Sequence, residues 1–152
     1  MDIEKEINQQ HFRNDYQKAM INLVFTHNWV TERFKNHLDH YQLTPQQFNI
    51  LRILRGAGTP LSTLQIRERM LDKMSDTSRI VDRLVLKGLV QKNTCTRDKR
   101  LVDVMITAAG LQLLQTIDNY EKDMDAILGS LDEQEIRQLN HLLNKLRNLQ
   151  PA

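Results

Sequence analysis

Ser75-Asp76-Thr77-Ser78-Arg79-Ile80-Val81-Asp82-Arg83-Leu84 runs to a stop at Lys87-Gly88; Leu89–Thr94 and Leu101–Ile106 then flank the tip Thr96-Arg97-Asp98-Lys99-Arg100. Ile80, Val81, Leu84 and Val85 recur at i, i+1, i+4 and i+5, which marks a helix with one buried face. Ser75, Thr77, Ser78, Arg79 and Asp82 are expected on or beside the opposite face, with Ser75 as the N-cap. Gly88 can adopt the left-handed conformation that closes a helix, with Leu89 folding back as the apolar contact beyond it. Val102, Val104 and Ile106 alternate with Leu101, Asp103 and Met105, the period of a half-buried strand. The order is therefore helix, glycine stop, strand pair and basic tip. Such a unit suits a DNA duplex: the helix fits the wide major groove, and a narrow cationic hairpin can reach the minor groove or the phosphates.

Two short helices with clear start signals precede it. Thr44-Pro45-Gln46-Gln47 offers an N-cap, a proline at the first helical position and a glutamine completing a capping box. Phe48, Leu51 and Leu54 follow at helical spacing, and Gly56-Ala57-Gly58 ends the run. Ser62-Thr63-Leu64-Gln65 is a second capping box leading into Ile66 and Met70. Residues 62–71 and 75–87, separated by Asp72-Lys73-Met74, are expected to form a helix-turn-helix whose first helix braces the second.

Longer helices are expected at both ends. Tyr16, Met20, Leu23, His27, Val30, Phe34 and Leu38 form an unbroken 3/4 stripe. Thr107 can cap a helix running to about Gly129, with Leu114, Ile117, Met124, Ile127 and Leu128 apolar. Asp132 and Glu135 form another capping box before Ile136, Leu139, Leu142, Leu143, Leu146 and Leu149. A winged helix needs nothing like this much extra helix. Residues 1–40 and 107–152 are therefore read as a helical dimerisation region, and 41–106 as the DNA-binding region. The alternative is that the terminal helices cover the winged helix within one chain.

Composition narrows the classes. With 26% charged and 40% hydrophobic residues, the 152-residue chain has the make-up of one globular domain. No apolar run approaches the roughly 20 residues needed to span a bilayer. The mixed-charge start Met1-Asp2-Ile3-Glu4-Lys5-Glu6 argues against a signal peptide, and the single cysteine fits a reducing cytoplasm. Net charge is +2, unevenly spread. Residues 52–106 hold 12 Lys/Arg against 6 Asp/Glu, whereas residues 1–51 total −1 and residues 107–152 total −3. A basic centre between acidic ends is an electrostatic footprint for a polyanion. There is no phosphate-cradling glycine loop and no nucleophile elbow. No catalytic residue, cofactor or enzyme activity is assigned.

The order of elements and the motifs resemble the MarR (multiple antibiotic resistance regulator) family of bacterial transcription factors across almost the whole chain. The matching stretches are Leu43-Thr44-Pro45-Gln46-Gln47-Phe48-Asn49-Ile50-Leu51, Ser78-Arg79-Ile80-Val81-Asp82-Arg83-Leu84 with Lys87-Gly88-Leu89-Val90, the wing signature Asp98-Lys99-Arg100, and Thr107-Ala108-Ala109-Gly110. The resemblance implies a fold that is mainly α with a small β-hairpin, a winged helix-turn-helix carrying N- and C-terminal dimerisation helices. It implies a cytoplasmic, homodimeric, sequence-specific regulator, a repressor released from a pseudo-palindromic operator by a small-molecule effector. The alternative function is a winged-helix protein-interaction module without DNA binding; the cluster Arg97, Asp98, Lys99 and Arg100 favours DNA.

By the same resemblance, Ser75, Thr77, Ser78 and Arg79 would face the major groove. Arg100 would enter the minor groove with Asp98 holding its guanidinium, and Arg97 and Lys99 would lie near phosphates. Met74 and Lys92 depart from common family residues, which bears on the exact operator. Trp29, Arg33, Phe34, His37 and Arg52 are the candidate lining of a crevice where the family often holds aromatic acids or phenols. The peroxide-sensing branch uses a cysteine near the start of the first long helix; residues 1–40 contain none, and Cys95 is read as passive. His37 and His40 share a helical face but lack a placed third ligand, so no metal is assigned.

Overall fold

A computed structural model describes residues 1–94, 98 and 102–148. Three of its helices begin where the sequence supplies a reciprocal cap. Thr44 and Gln47 start α3 (Pro45–Ala57), Ser62 and Gln65 start α4 (Thr63–Arg69), and Asp132 and Glu135 start α8 (Glu133–Arg147). In each, the cap side chain accepts the backbone N–H three residues on, and that residue's side chain accepts the cap's own N–H, so two otherwise orphaned donors are satisfied. Gly58 ends α3 in the left-handed region at φ 65°.

The remaining elements are α1 (Ile3–Glu6), α2 (Asp15–Asp39), β1 (Leu61–Ser62), α5 (Thr77–Leu86), β2 (Val90–Thr94), β3 (Val102–Ile106), α6 (Ala108–Asp118) and α7 (Glu121–Asp125), followed by a 3-10 turn over Ala126–Leu128. The strands form an antiparallel sheet in the order β1-β3-β2, with Val90 opposite Ile106, Thr94 opposite Val102 and Leu61 opposite Val104. The expected hairpin is thus joined by a third strand. At two residues β1 is too short to show a period-2 pattern, and it exists because β3 offers it an edge.

The expected single helix from Thr107 to about Gly129 is instead broken after Asp118. Asp118, Asn119 and Tyr120 are three weak helix formers in succession. Two tertiary contacts hold the break: Arg55 grips the Asp118 carboxylate through two hydrogen bonds of 2.6 and 3.3 Å, and the Tyr120 ring lies 6.5 Å from that of Tyr41. Burial, with Tyr120 and Asp123 nearby, pushes the Tyr41 hydroxyl above its ordinary pKa.

The hydrophobic core lies between Leu38 and Ile117 in sequence, and Ile50, Leu51, Ile66, Val81, Leu84, Val104 and Leu114 within it are fully buried. Of the terminal helices, α6 supplies Leu114 and Ile117 to it, whereas α2 and α8 supply little. Only Leu38 is buried in the 25 residues of α2, and no residue is buried in α8. Met20, Leu142 and Leu146 remain 69%, 60% and 57% exposed. These side chains of α2 and α8 are thus left uncovered by the rest of the chain. At the N-terminus, Lys18 bonds Glu4, which holds the Glu4 carboxyl below its ordinary pKa and raises that of Lys18. Among the described residues no helix is long and apolar enough to cross a membrane.

Candidate nucleic-acid interface and effector cavity

Helix α5 starts one residue later than the sequence suggests. Asp76, not Ser75, is the N-cap, its carboxylate accepting the Arg79 N–H at 3.3 Å. An aspartate there also meets the positive end of the helix dipole. Thr77 thereby becomes the first helical residue and stands four positions before Val81. It joins Val81 and Leu84 on the buried stripe, only 3% exposed. Thr77 Oγ1 and Ser75 Oγ are both buried and, among the described residues, without a hydrogen-bond partner. Of the four residues expected to face a groove, Ser78 and Arg79 are exposed, Thr77 is not, and the Ser75 hydroxyl is turned inward. The 77-81-84 spacing was the available signal, masked because threonine is polar. Val85, expected on the buried face, is 37% exposed instead.

The outward face of α5 thus carries Ser78, Arg79, Asp82 and Arg83. Lys92 on β2 pairs with Asp82, tying the first wing strand to this helix. The helix closes as the sequence indicated. Gly88 takes φ 73°, its N–H bonds the Val85 carbonyl at 2.9 Å, and the Leu89 N–H bonds the Leu84 carbonyl at 3.1 Å. These are the two bonds of a Schellman motif. At the wing tip Asp98 is described and half-buried. Arg97, Lys99 and Arg100, like Cys95, lie outside the described residues.

A cavity of about 950 Å³ opens on the other side of the helix-turn-helix. Its walls come from α2 (His27, Thr31, Phe34), from α3 (Phe48, Asn49, Arg52), from the Met70–Asp72 turn and from α6 and α7 (Ile117, Glu121, Met124). Phe34 and Phe48 meet edge to face at 5.6 Å, and the Arg52 guanidinium lies 5.9 Å from the Phe48 ring centre. Asn49 links two walls: buried on α3, it accepts the Leu71 N–H through Oδ1 at 3.0 Å.

Of the five residues expected to line a crevice, Phe34 and Arg52 do. Trp29, Arg33 and His37 do not. On an α-helix each residue turns roughly 100°, so positions 27, 31 and 34 share one face and 29 and 33 point away from it. Arg33 instead stacks on Trp29, 3.6 Å above its ring. His37 packs against Tyr41 with its Nε2 buried and, among the described residues, unpartnered. The i, i+4, i+7 set His27, Thr31 and Phe34 was readable in the sequence as one face.

Comparison with known proteins bears on this geometry. Residues 43–102 match the model of the MarR family. The HTH-type transcriptional repressor MdtR of Bacillus subtilis is 31% identical over 105 residues, covering 68% of this chain and 67% of that protein. This chain belongs to the MarR family. Its fold is that of a mutant MarR from E. coli complexed with operator DNA, with a TM-score of 0.80 at 21% identity, covering 91% of this chain and 99% of that one. BpsR of Bordetella bronchiseptica, whose DNA binding is regulated by 6-hydroxynicotinic acid, superposes with a TM-score of 0.76 at 20% identity, covering 86% and 99%. The curated relatives are named as transcriptional regulators, not enzymes.

The Thr107-x-x-Gly110 element has a physical reason here. The Thr107 hydroxyl accepts the Gly110 N–H at 3.2 Å and donates to the Gly88 carbonyl at 2.7 Å. That knots the start of α6 to the turn that ends α5. A Cβ on Gly110 would collide with the Leu89 carbonyl oxygen and stand 2.7 Å from Ile106 Cγ1.

Proposed function

We propose that this MarR-family protein is a homodimeric, sequence-specific DNA-binding repressor whose operator is released by a small molecule. The observation that carries the reading is α5: a helix anchored by Thr77, Val81 and Leu84 that presents Ser78, Arg79 and Arg83 outward beside a three-stranded wing. Ser78 and Arg79 contact base edges in the major groove, with Arg83 beside them. Arg97, Lys99 and Arg100 at the wing add phosphate and minor-groove contacts, with Asp98 orienting Arg100. Residues 41–106 act as the DNA-binding region, and residues 1–40 and 107–152 pair two copies. The uncovered apolar side chains of α2 and α8 support that pairing.

The effector occupies the cavity between α2, α3, α6–α7 and the Met70–Asp72 turn. Two observations support this. The volume falls in the usual range for small-molecule sites, about 300–1,000 Å³. Asn49 connects the cavity wall to the turn that leads into α5, so a ligand that repositions either wall shifts the recognition helix. The deciding experiment is a fluorescence-anisotropy titration against the protein's own upstream region at two salt concentrations. A saturable, salt-dependent complex on a pseudo-palindrome with half-sites about 10–10.5 base pairs apart is expected. Failure to bind any upstream duplex at low salt would instead favour a protein-interaction module.

A further inference from the structure

The charge of the cavity assigns a class of ligand. Its floor is apolar and soft: Phe34, Phe48, Met70, Ile117 and Met124. Of the charged groups around it, Arg55 and Asp118 neutralise each other through their two hydrogen bonds. What remains is one guanidinium, Arg52, and the His27 imidazole against three carboxylates, Asp72, Glu121 and Asp125. Among the described residues Glu121 and Asp125 make no ion pair, and the Asp72 carboxylate accepts only the Met74 N–H. Inside, Asn49 is 6% exposed. Its Oδ1 is used by Leu71, while no hydrogen bond among the described residues engages its Nδ2. An amide donor of the cavity wall that no protein group engages is open to an acceptor on whatever fills the space.

We propose, resting on the reading of this cavity as the effector site, that the effector is an amphipathic cation. An aromatic body lies over the Phe34–Phe48 pair and the two methionines, where ring faces and thioethers favour a polarisable, positively charged guest. The cationic end meets Glu121, Asp125 and Asp72 at the rim. An ether, carbonyl or hydroxyl oxygen on the body accepts from Asn49 Nδ2. An aromatic acid would have to draw Arg55 away from Asp118, or sit by Arg52 among three uncompensated carboxylates.

The test uses the full chain and two nearly isosteric ions, tetraphenylphosphonium and tetraphenylborate, with neutral triphenylphosphine oxide, measured by isothermal titration calorimetry. Tetraphenylphosphonium is expected to bind at least about tenfold more tightly than tetraphenylborate. The exposed pair E121Q/D125N should weaken it about tenfold, the scale of a few surface ion pairs, without weakening the borate. M124W, or T31W from the opposite wall should the first fail to fold, fills the cavity and should abolish binding. Tighter binding of the borate, or no response to E121Q/D125N, overturns the cationic class while the cavity reading stands. If none of the three compounds binds, or binding survives both filled variants, the cavity reading itself falls.

Discussion

Asn49 and Leu71, 22 positions apart, are joined by one hydrogen bond, the Leu71 N–H donating to Asn49 Oδ1 at 3.0 Å. The bond fixes the backbone where α4 ends and the turn toward α5 begins, and it does so from a side chain that also faces the cavity. Asn49→Leu keeps the volume but leaves that N–H unsatisfied, and is expected to lower unfolding free energy by about 1–3 kcal/mol. Asn49→Asp retains the acceptor and, at a pH low enough to keep its carboxyl protonated and uncharged, should lose less. Urea denaturation of the two variants side by side checks the ranking; equal losses would assign the effect to packing instead.

Gly110 offers a test whose sign is diagnostic. In a helix, Gly→Ala ordinarily stabilises by about 1 kcal/mol through backbone entropy. Here the new methyl would meet the Leu89 carbonyl oxygen and Ile106, and the obstacle includes backbone rather than the loose end of a side chain. Overpacking of this kind costs about 1–3 kcal/mol and occasionally more. Gly110→Ala should therefore destabilise. A raised melting temperature would show that the α6 start moves freely away from the α5 turn.

The apolar side chains left uncovered on α2 and α8 call for a partner. Leu142 and Leu146 lie four apart on one face of α8 and are more than half exposed. Obligate pairs of this kind bury more than about 2,000 Å². The unmodified protein should scatter light as a dimer at micromolar concentration, and Leu142→Glu with Leu146→Glu should give a folded 17.9 kDa monomer. A monomer without the substitutions would sink the idea.

Local chemistry was readable wherever one or two residues decide an element. Thr44 with Gln47, Ser62 with Gln65 and Asp132 with Glu135 each start a helix as written, and Gly88 ends α5 as written, because caps depend on neighbours a few residues away. Reading failed where tertiary context decides. Thr77 is polar by type but apolar by position, since its cap moved to Asp76. The break after Asp118 depends on Arg55 and Tyr41, more than 60 residues away in sequence for the bonded pair. Trp29, Arg33 and His37 were chosen for their chemistry, whereas the helical face through His27, Thr31 and Phe34 decides which side chains reach the cavity.

Thr77 and its neighbours should separate cleanly in function. Thr77→Val removes a buried hydroxyl that has no partner among the described residues and keeps the shape, so it is expected to stabilise by about 1 kcal/mol and leave base preference unchanged. Ser78→Ala and Arg79→Ala should do the opposite, sparing stability and relaxing base preference, each good base contact being worth about 1–3 kcal/mol. Binding measured on single-base operator variants distinguishes the two patterns. A change of preference in Thr77→Val would mean that its side chain turns outward on DNA.

At the wing, charge and orientation predict opposite outcomes for one substitution. Arg100→Ala should weaken binding strongly, since it removes the cation proposed to enter the minor groove. Lys99→Ala should lower affinity almost equally on all sequences and reduce the salt slope by about one unit. Asp98→Ala removes a negative charge beside a polyanion, and simple electrostatics then calls for tighter binding. If Asp98 instead orients the Arg100 fork, its loss frees that guanidinium and binding weakens, because an unheld fork must be ordered again at each encounter. Weaker binding is the expected result, and it should vanish in the Asp98→Ala/Arg100→Ala double variant relative to Arg100→Ala alone. Anisotropy titrations across a salt series read all four proteins together. Should Asp98→Ala bind more tightly at every salt concentration, the orienting role and the wing assignment built on it would have to be given up.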